Sequence, residues 1–434
     1  MSINNELFIK RCREYFEDDC SEFLNQLEKP CTQAFFLNTK KADKEKIFDL
    51  IDFEYESSPL TDQSFYHECD NIGKTRAYEL GLIYPQEIAA SLSSLFIDTE
   101  NIETVVDLCA APGGKTINAL NRLDEDVLCV SNDVNHNRAL TLSSNLERLG
   151  LDNVIITSKK SEDLADQLEG FADLVILDAP CSGEGMIRKY PQILDEYSLG
   201  NIEQLSKIQT KLLNEAYRIL NEGGQLLYST CTYAFEEDER QVSDFLSRHP
   251  DMKLMKIDMR SSSKLPGTVK LSPLNNTEGQ FIALMKKDGI KKDISLKYLK
   301  PVKEKLVDEF INENLDLKEY YLYKNNDHFY LSLRPLPDLK YSTLKYGIYA
   351  GEIINRRFEP NHNLYRANSL IGNYRYVYEL DSREYDAFIS GNEFKADLDN
   401  HYYLLAYKGM ALGFGKCVNK TVKNKYPKGL RRMI

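Results

Sequence analysis

"VVDLCAAPGGKT", Val105 to Thr116, reads as a buried strand, a turn of small residues and the first turn of a helix. Doubly wound α/β folds place their ligands at such strand-to-helix turns. Three ligand classes compete for this one. A phosphate loop, GxxxxGK[ST], fits Gly114-Lys115-Thr116 but fails at its first glycine, where Cys109 stands. A dinucleotide fingerprint, GxGxxG, is absent. The third class is an S-adenosylmethionine pocket. There the turn Cys109-Ala110-Ala111-Pro112-Gly113-Gly114 lets a ligand approach the backbone closely. Lys115, in the first helical turn, is disfavoured by the helix dipole, and an anion such as the ligand's carboxylate would account for it. An acid about 20 residues on is expected to grip ribose hydroxyls. Asp133 supplies it at the end of "VLCVSND".

Further along the chain, "ETVVDL", "DVLCVSND", "NVIIT", "ADLVILD" and "GGQLLYST" are short apolar runs rich in Val, Ile and Leu. Helical spacing fills the gaps between them. In Ile202–Leu220, residues Ile202, Leu205, Ile208, Leu212, Leu213, Ala216, Ile219 and Leu220 fall on one face, and "NEGG" offers Gly223 and Gly224 as a C-cap. Strands apolar on both faces, alternating with helices, predict a parallel doubly wound sheet. The fold class is therefore α/β with a Rossmann-like core over residues 96–287. A helical and mixed region precedes it, 1–95. A connecting region of weaker periodicity, 288–373, follows. The end, 374–434, carries short strands joined by glycine turns and reads as a β-rich module.

Composition narrows the function classes. The chain has 434 residues, enough for several domains, and its 42% hydrophobic content supports real cores. No apolar run approaches a membrane span, and "MSINNELFIKRC" carries charges where a signal peptide needs an apolar stretch. Nine cysteines include no CxxC pair, so neither a disulfide framework nor a metal site is expected. The expectation is a cytoplasmic, monomeric protein with reduced thiols. Net charge is −12, which taken alone argues against a polyanionic partner. From Gly409 to Ile434, however, there is no acid, while Lys416, Lys420, Lys423, Lys425, Lys428, Arg431 and Arg432 crowd together. Such a strip can bind nucleic acid on an otherwise acidic protein.

Two thiols sit where apolar strands end, Cys181 in "LDAPCSGEGMIRK" and Cys231 in "LLYSTCTY". A lone cysteine there is usually a small buried hydrophobe. Two of them, in polar settings at the ligand edge of one sheet, point to covalent chemistry. Carbon 5 of a pyrimidine is a poor nucleophile until a thiolate adds to carbon 6. A base must afterwards remove the carbon-5 proton. Asp178, two residues before Pro180, is placed to stabilise charge developing on the ring. Amine methyltransferases carry Pro-Pro-aromatic after the strand-end acid, and a thiol after Ala179-Pro180 favours ring-carbon chemistry instead. Spacing alone leaves open which thiol attacks.

"CAAPGGKT", "LDAPCSGEGMIRK" and "LLYSTCTYAFEEDE" together resemble the motifs of the NOL1/NOP2/Sun family of RNA cytosine-5 methyltransferases. "GLIYPQE", "FEPNHNL" (Phe358–Leu364) and "KNKYPKGLR" (Lys423–Arg431) extend the resemblance to the family's bacterial RsmF type, which modifies 16S ribosomal RNA and ends in a PUA-like RNA-binding module. The resemblance implies Cys231 as nucleophile, Cys181 as the thiol assisting product release, and cofactor contacts on Cys109–Lys115, Asp133 and Asp178. It implies 16S rRNA or the small ribosomal subunit as partner. Departures are visible: "VIITSKKSED" lacks the family's acid after the third strand, with Glu162 the nearest, and "TEGQF" (Thr277–Phe281) stands for the usual GEGHF. The other class to weigh is a non-catalytic RNA-binding assembly factor that retains the fold. The intact Cys181, Cys231 and Asp178 speak against it.

Overall fold

The computed structural model describes residues 5–432. The first four residues and the last two of the basic strip, Met433 and Ile434, lie outside them. At the centre is a mixed sheet. Its parallel strands are β1 (Thr104–Asp107), β2 (Leu128–Asn132), β3 (Val154–Thr157), β4 (Ala172–Asp178) and β5 (Leu220–Thr230). They lie in the order β3-β2-β1-β4-β5. The chain leaves β1 for β2 on one side and returns to β4 on the other, so the switch point falls between β1 and β4. Beyond β5 the sheet continues antiparallel, through β6 (Met252–Met255), β7 (Val269–Leu271) and β8 (Gln280–Lys287), with β8 beside β5 and flanked by β6 and β7. The parallel strands are apolar on both faces because helices cover both, giving two cores either side of the sheet.

The helices that matter for the site are α1 (Gly114–Arg122), α2 (His136–Leu149), α3 (Ser161–Ala165), α4 (Leu199–Ile219) and α5 (Glu239–Arg248). Two sequence expectations fail at α4. The helix does not end on the glycines: Leu220 already takes an extended conformation, and "NEGG" belongs to β5. Gly223 instead sits at φ +77° where the pairing with β4 slips between Ala172 and Leu174, an irregularity that only glycine accommodates cheaply. The buried face also differs. Ser206 and Gln209 turn inward with Ile202, Leu213 and Ala216, while Ile208 is exposed.

Helices Glu6–Phe16 and Cys20–Leu27 pack on Ile187, Tyr197 and Tyr233, covering the segments that follow Cys181 and Cys231. A four-stranded sheet follows them, in the order Tyr55–Ser57, Ser64–His67, Ala34–Leu37, Ile83–Pro85. The region expected to be a connection is itself folded. Strands Tyr321–Asn325, His328–Ser332, Ile348–Ile354 and Arg357–Pro360 form an antiparallel sheet, and Thr343–Tyr346 extends the central sheet beside β3. The C-terminal module is a five-stranded sheet with the α-helix Ser382–Ile389. Arg366, buried, ties three of these parts together: its guanidinium donates to the carbonyls of Glu79, Arg148 and Leu412. No helix among the described residues is long and apolar enough to cross a membrane.

Candidate active site

The carboxyl ends of β1, β2, β4 and β5 open into one cavity of about 710 Å³. That is within the range of roughly 300–1,000 Å³ common to small-molecule sites. Of the residues expected from sequence, Cys109, Ala110, Ala111, Pro112, Gly114, Lys115, Asp133, Asp178, Cys181 and Cys231 all line it. Gly113 does not. It caps α1 at φ +117°, and a side chain there would press on Leu142 and Ile117 behind the loop.

The loop after β1 is held from outside. Ala110 N–H donates to Asn132 O (2.8 Å), Arg138 of α2 donates to Ala111 O (2.6 Å), and Asn145 donates to Pro112 O (2.8 Å). Below it lies Asp107, which sequence reading passed over. It is fully buried, accepts a hydrogen bond from Thr116 Oγ1 (2.6 Å), and leaves Oδ1 without a hydrogen-bond partner among the described residues. Burial pushes its carboxyl up to about 7. Burial likewise pushes the Cys109 thiol up, so it is not a nucleophile candidate. Asp133 Oδ1 accepts from Asn135 N–H (2.9 Å), and its other oxygen lies 3.4 Å from Arg138. The anion expected beside Lys115 is present within the protein: Asp178 Oδ2 is 3.6 Å from Nζ, and its Oδ1 accepts from Ser229 Oγ (2.6 Å).

The acid missing after β3 is not replaced in place. Lys159 is buried in the cavity wall and donates to the Lys340 carbonyl, while Glu162 is paired with Lys211 at the cavity rim.

The two thiols meet. Cys181 Sγ and Cys231 Sγ are 3.2 Å apart, and Cys231 N–H points at Cys181 Sγ (3.3 Å). The hydrogen bond to Cys231 and burial push the Cys181 thiol well up, so it holds its proton. Cys231 is followed by a loop and not directly by a helix. α5 begins only at Glu239, and the intervening loop uses its acids as struts. Glu236 pairs with Arg11. Glu237 accepts from Ser182 N–H (3.0 Å), Ser182 Oγ and Gln209 Nε2 (2.9 Å), and burial pushes it up to about 7. Gln209 also donates to Pro180 O (2.9 Å), which explains why α4 turns an amide inward. Its one sequence signal was a polar residue within an apolar face.

The cavity fits S-adenosylmethionine by its own chemistry. Small residues open the loop, a buried acid ends β2, and Lys115 faces the interior at the helix start. Sheet order, switch-point cavity and this loop define the chain as an S-adenosylmethionine-dependent methyltransferase. Known proteins agree. The family model described as "16S rRNA methyltransferase RsmB/F" matches residues 94–286, "N-terminal domain of 16S rRNA methyltransferase RsmF" matches 5–88, and "Methyltransferase RsmF PUA domain" matches 375–432. A tRNA (cytosine(49)-C(5))-methyltransferase of Pyrococcus abyssi is 33% identical over 290 residues, 62% of this chain and 93% of that one. Ribosomal RNA small subunit methyltransferase F of Psychromonas ingrahamii is 26% identical over 452 residues, 95% of this chain and 93% of its own. A solved methyltransferase homologue from Pyrococcus horikoshii superposes with a TM-score of 0.57 at 28% identity, covering 65% of this chain and 95% of the other. The chain belongs to the RsmB/F family of rRNA methyltransferases, with an RsmF-type N-terminal domain and a PUA module.

Proposed function

We propose that this enzyme methylates carbon 5 of cytosine in 16S rRNA through a covalent adduct on Cys231. The observation that carries the reading is the thiol pair at 3.2 Å beside Asp178, at the ends of neighbouring strands. S-adenosylmethionine, when bound, supplies the methyl group as an electrophile. The Cys231 thiolate forms a bond to carbon 6, and the carbon 5–carbon 6 π pair becomes available at carbon 5. Asp178 holds the N3 and amino edge where ring charge changes. After methylation, a base takes the carbon-5 proton, its bonding pair restores the double bond, and the Cys231 thiolate leaves.

Cys181 suits that last role by position: its Sγ lies 3.2 Å from the Cys231 sulfur that would hold the ring, and as the thiolate it would accept the carbon-5 proton. The target base must leave its stack to reach this depth. The 16S target rests on the RsmF-type ends and on relatives that carry that name.

The test is 5-methylcytosine mapping along rRNA from cells with and without the protein, paired with transfer of labelled methyl to unmodified 16S rRNA by the pure enzyme. A methylcytosine that vanishes with the protein and is restored in vitro supports the reading. Methyl transfer to an amine, or only to tRNA, overturns it.

A further inference from the structure

We infer that Gln280 is a base-contacting residue that donates a hydrogen bond to O2 of the target pyrimidine and stabilises the charge that thiolate addition places on the ring. The inference rests on the reading of Cys231 as nucleophile and adds a second group to that site.

Register comes first. β5 and β8 are antiparallel, pairing Thr230 with Phe281 and Ser229 with Ile282. Gln280 is the residue just before Phe281 and Cys231 the one just after Thr230, so both stand where the paired stretch ends. Past that point the Gly185 backbone bridges the two strand ends. Gly279 N–H donates to Gly185 O (3.0 Å), and Gly185 N–H donates to Cys231 O (2.9 Å). The two glycines touch so closely that a Cβ on Gly279 would lie 2.3 Å from Gly185 Cα. The position of Gln280 relative to the thiols is thus fixed by main chain.

The second observation is the side chain itself. Gln280 is 3% exposed and lines the same cavity as Cys181, Cys231 and Asp178. Its Nε2 is buried with no hydrogen-bond partner among the described residues. A buried amide donor left unmade costs on the order of 1–3 kcal/mol, and such orphans call for an explanation. Two other polar side chains of this wall are held elsewhere: Glu278 is clamped by Arg188 Nε (3.0 Å) and Nη2 (2.6 Å), and Gln86 Oε1 accepts from Asn118 (2.9 Å).

Pyrimidine geometry supplies the partner. With carbon 6 against Cys231 and the N3 and amino edge against Asp178, the remaining polar atom is O2, one ring atom from the N1–carbon 6 bond. It accepts hydrogen bonds and nothing else. Addition at carbon 6 pushes electron density onto N3 and O2, so a preplaced donor there is worth more in the transition state than in the ground state.

The experiment uses the full-length enzyme, S-adenosylmethionine, and 16S rRNA transcribed with cytidine or with 2-thiocytidine, whose sulfur is a poor acceptor. Wild-type turnover should fall on the thio transcript. Gln280→Leu should lose about 100-fold in kcat on the normal transcript, the scale of one lost transition-state donor. Its cofactor affinity by calorimetry should be unchanged, and its rates on the two transcripts should be nearly equal. Gln280→His, which restores a ring N–H of similar reach, should recover much of the loss. An unchanged rate in Gln280→Leu, a weakened cofactor affinity, or the same thio penalty as wild type would each overturn the assignment. Trapping of wild type on 5-fluorocytosine transcripts separates the two readings, because failure to map an adduct to Cys231 removes the nucleophile itself.

Discussion

Substituting Asp133 tests the cofactor placement in a way the geometry makes quantitative. Its carboxylate is buried at the end of β2. One oxygen accepts the Asn135 amide at 2.9 Å, and the other, 3.4 Å from Arg138, has capacity to spare. If that capacity serves ribose hydroxyls, Asp133→Ala removes hydrogen bonds to a charged group worth about 1.5–3 kcal/mol. At 1.4 kcal/mol per decade, S-adenosylmethionine binds about 10- to 150-fold more weakly. The same variant also loses the Asn135 bond in the free protein, about 1 kcal/mol of stability. Asp133→Asn separates the two effects, since its remaining oxygen still accepts from Asn135. It should melt close to wild type and yet bind the cofactor poorly. Isothermal calorimetry and thermal melts of the ligand-free protein give both quantities. Calorimetric affinity unchanged in both variants would refute the placement of the ribose at Asp133.

The thiols should separate on a denaturing gel: Cys231→Ala forms no covalent RNA complex, while Cys181→Ala stalls after methyl transfer with RNA bonded to Cys231. An adduct mapped to Cys181 in Cys231→Ala would reverse the roles. Replacing Lys423, Lys425 and Lys428 with Glu should lower the slope of log affinity for RNA against log salt by up to about 2, leaving cofactor binding alone. An unmoved slope would mark these lysines as surface charge only, a sharper question now that Lys423 is paired with Glu393 and Lys425 with Glu359. Asp107 is raised to about 7, so the folded state holds its proton more tightly than the unfolded chain. Its contribution is present at low pH and is lost as pH rises from about 4 through 7. Asp107→Asn should flatten denaturant-measured stability across that window, and a slope equal to wild type would contradict the burial of this carboxyl.

The central strands were legible because burial on both faces writes uninterrupted apolar runs. The cofactor loop was legible because small residues leave a plain trace. The sheet between Tyr321 and Pro360 was not, because its buried positions include tyrosines such as Tyr323 and Tyr330 among lysines and asparagines, a mixture that reads as polar. α4 misled at Ile208 and Gln209 for a related reason: its inward face supports a loop as well as a core, so an amide displaced an aliphatic side chain. The contact between Cys181 and Cys231 spans 50 positions in the chain and depends on β4 and β5 being neighbours. No local pattern encodes it. The acid-free strip near the C-terminus looked bare only along the sequence. In space its lysines meet acids contributed by Asp397, Glu393 and Glu359.

Arg366 binds carbonyls from the N-terminal region, from the end of α2 and from the C-terminal sheet with one planar group. A guanidinium shared in this way makes the spacing between those parts a property of the fold and not of a hinge. For an RNA gripped at the PUA module, the enzyme then behaves as a caliper. On the function proposed above, the distance from that grip to the thiols would be set before any substrate arrives, and length and path along the RNA would choose the nucleotide reached as much as the letters around the cytosine.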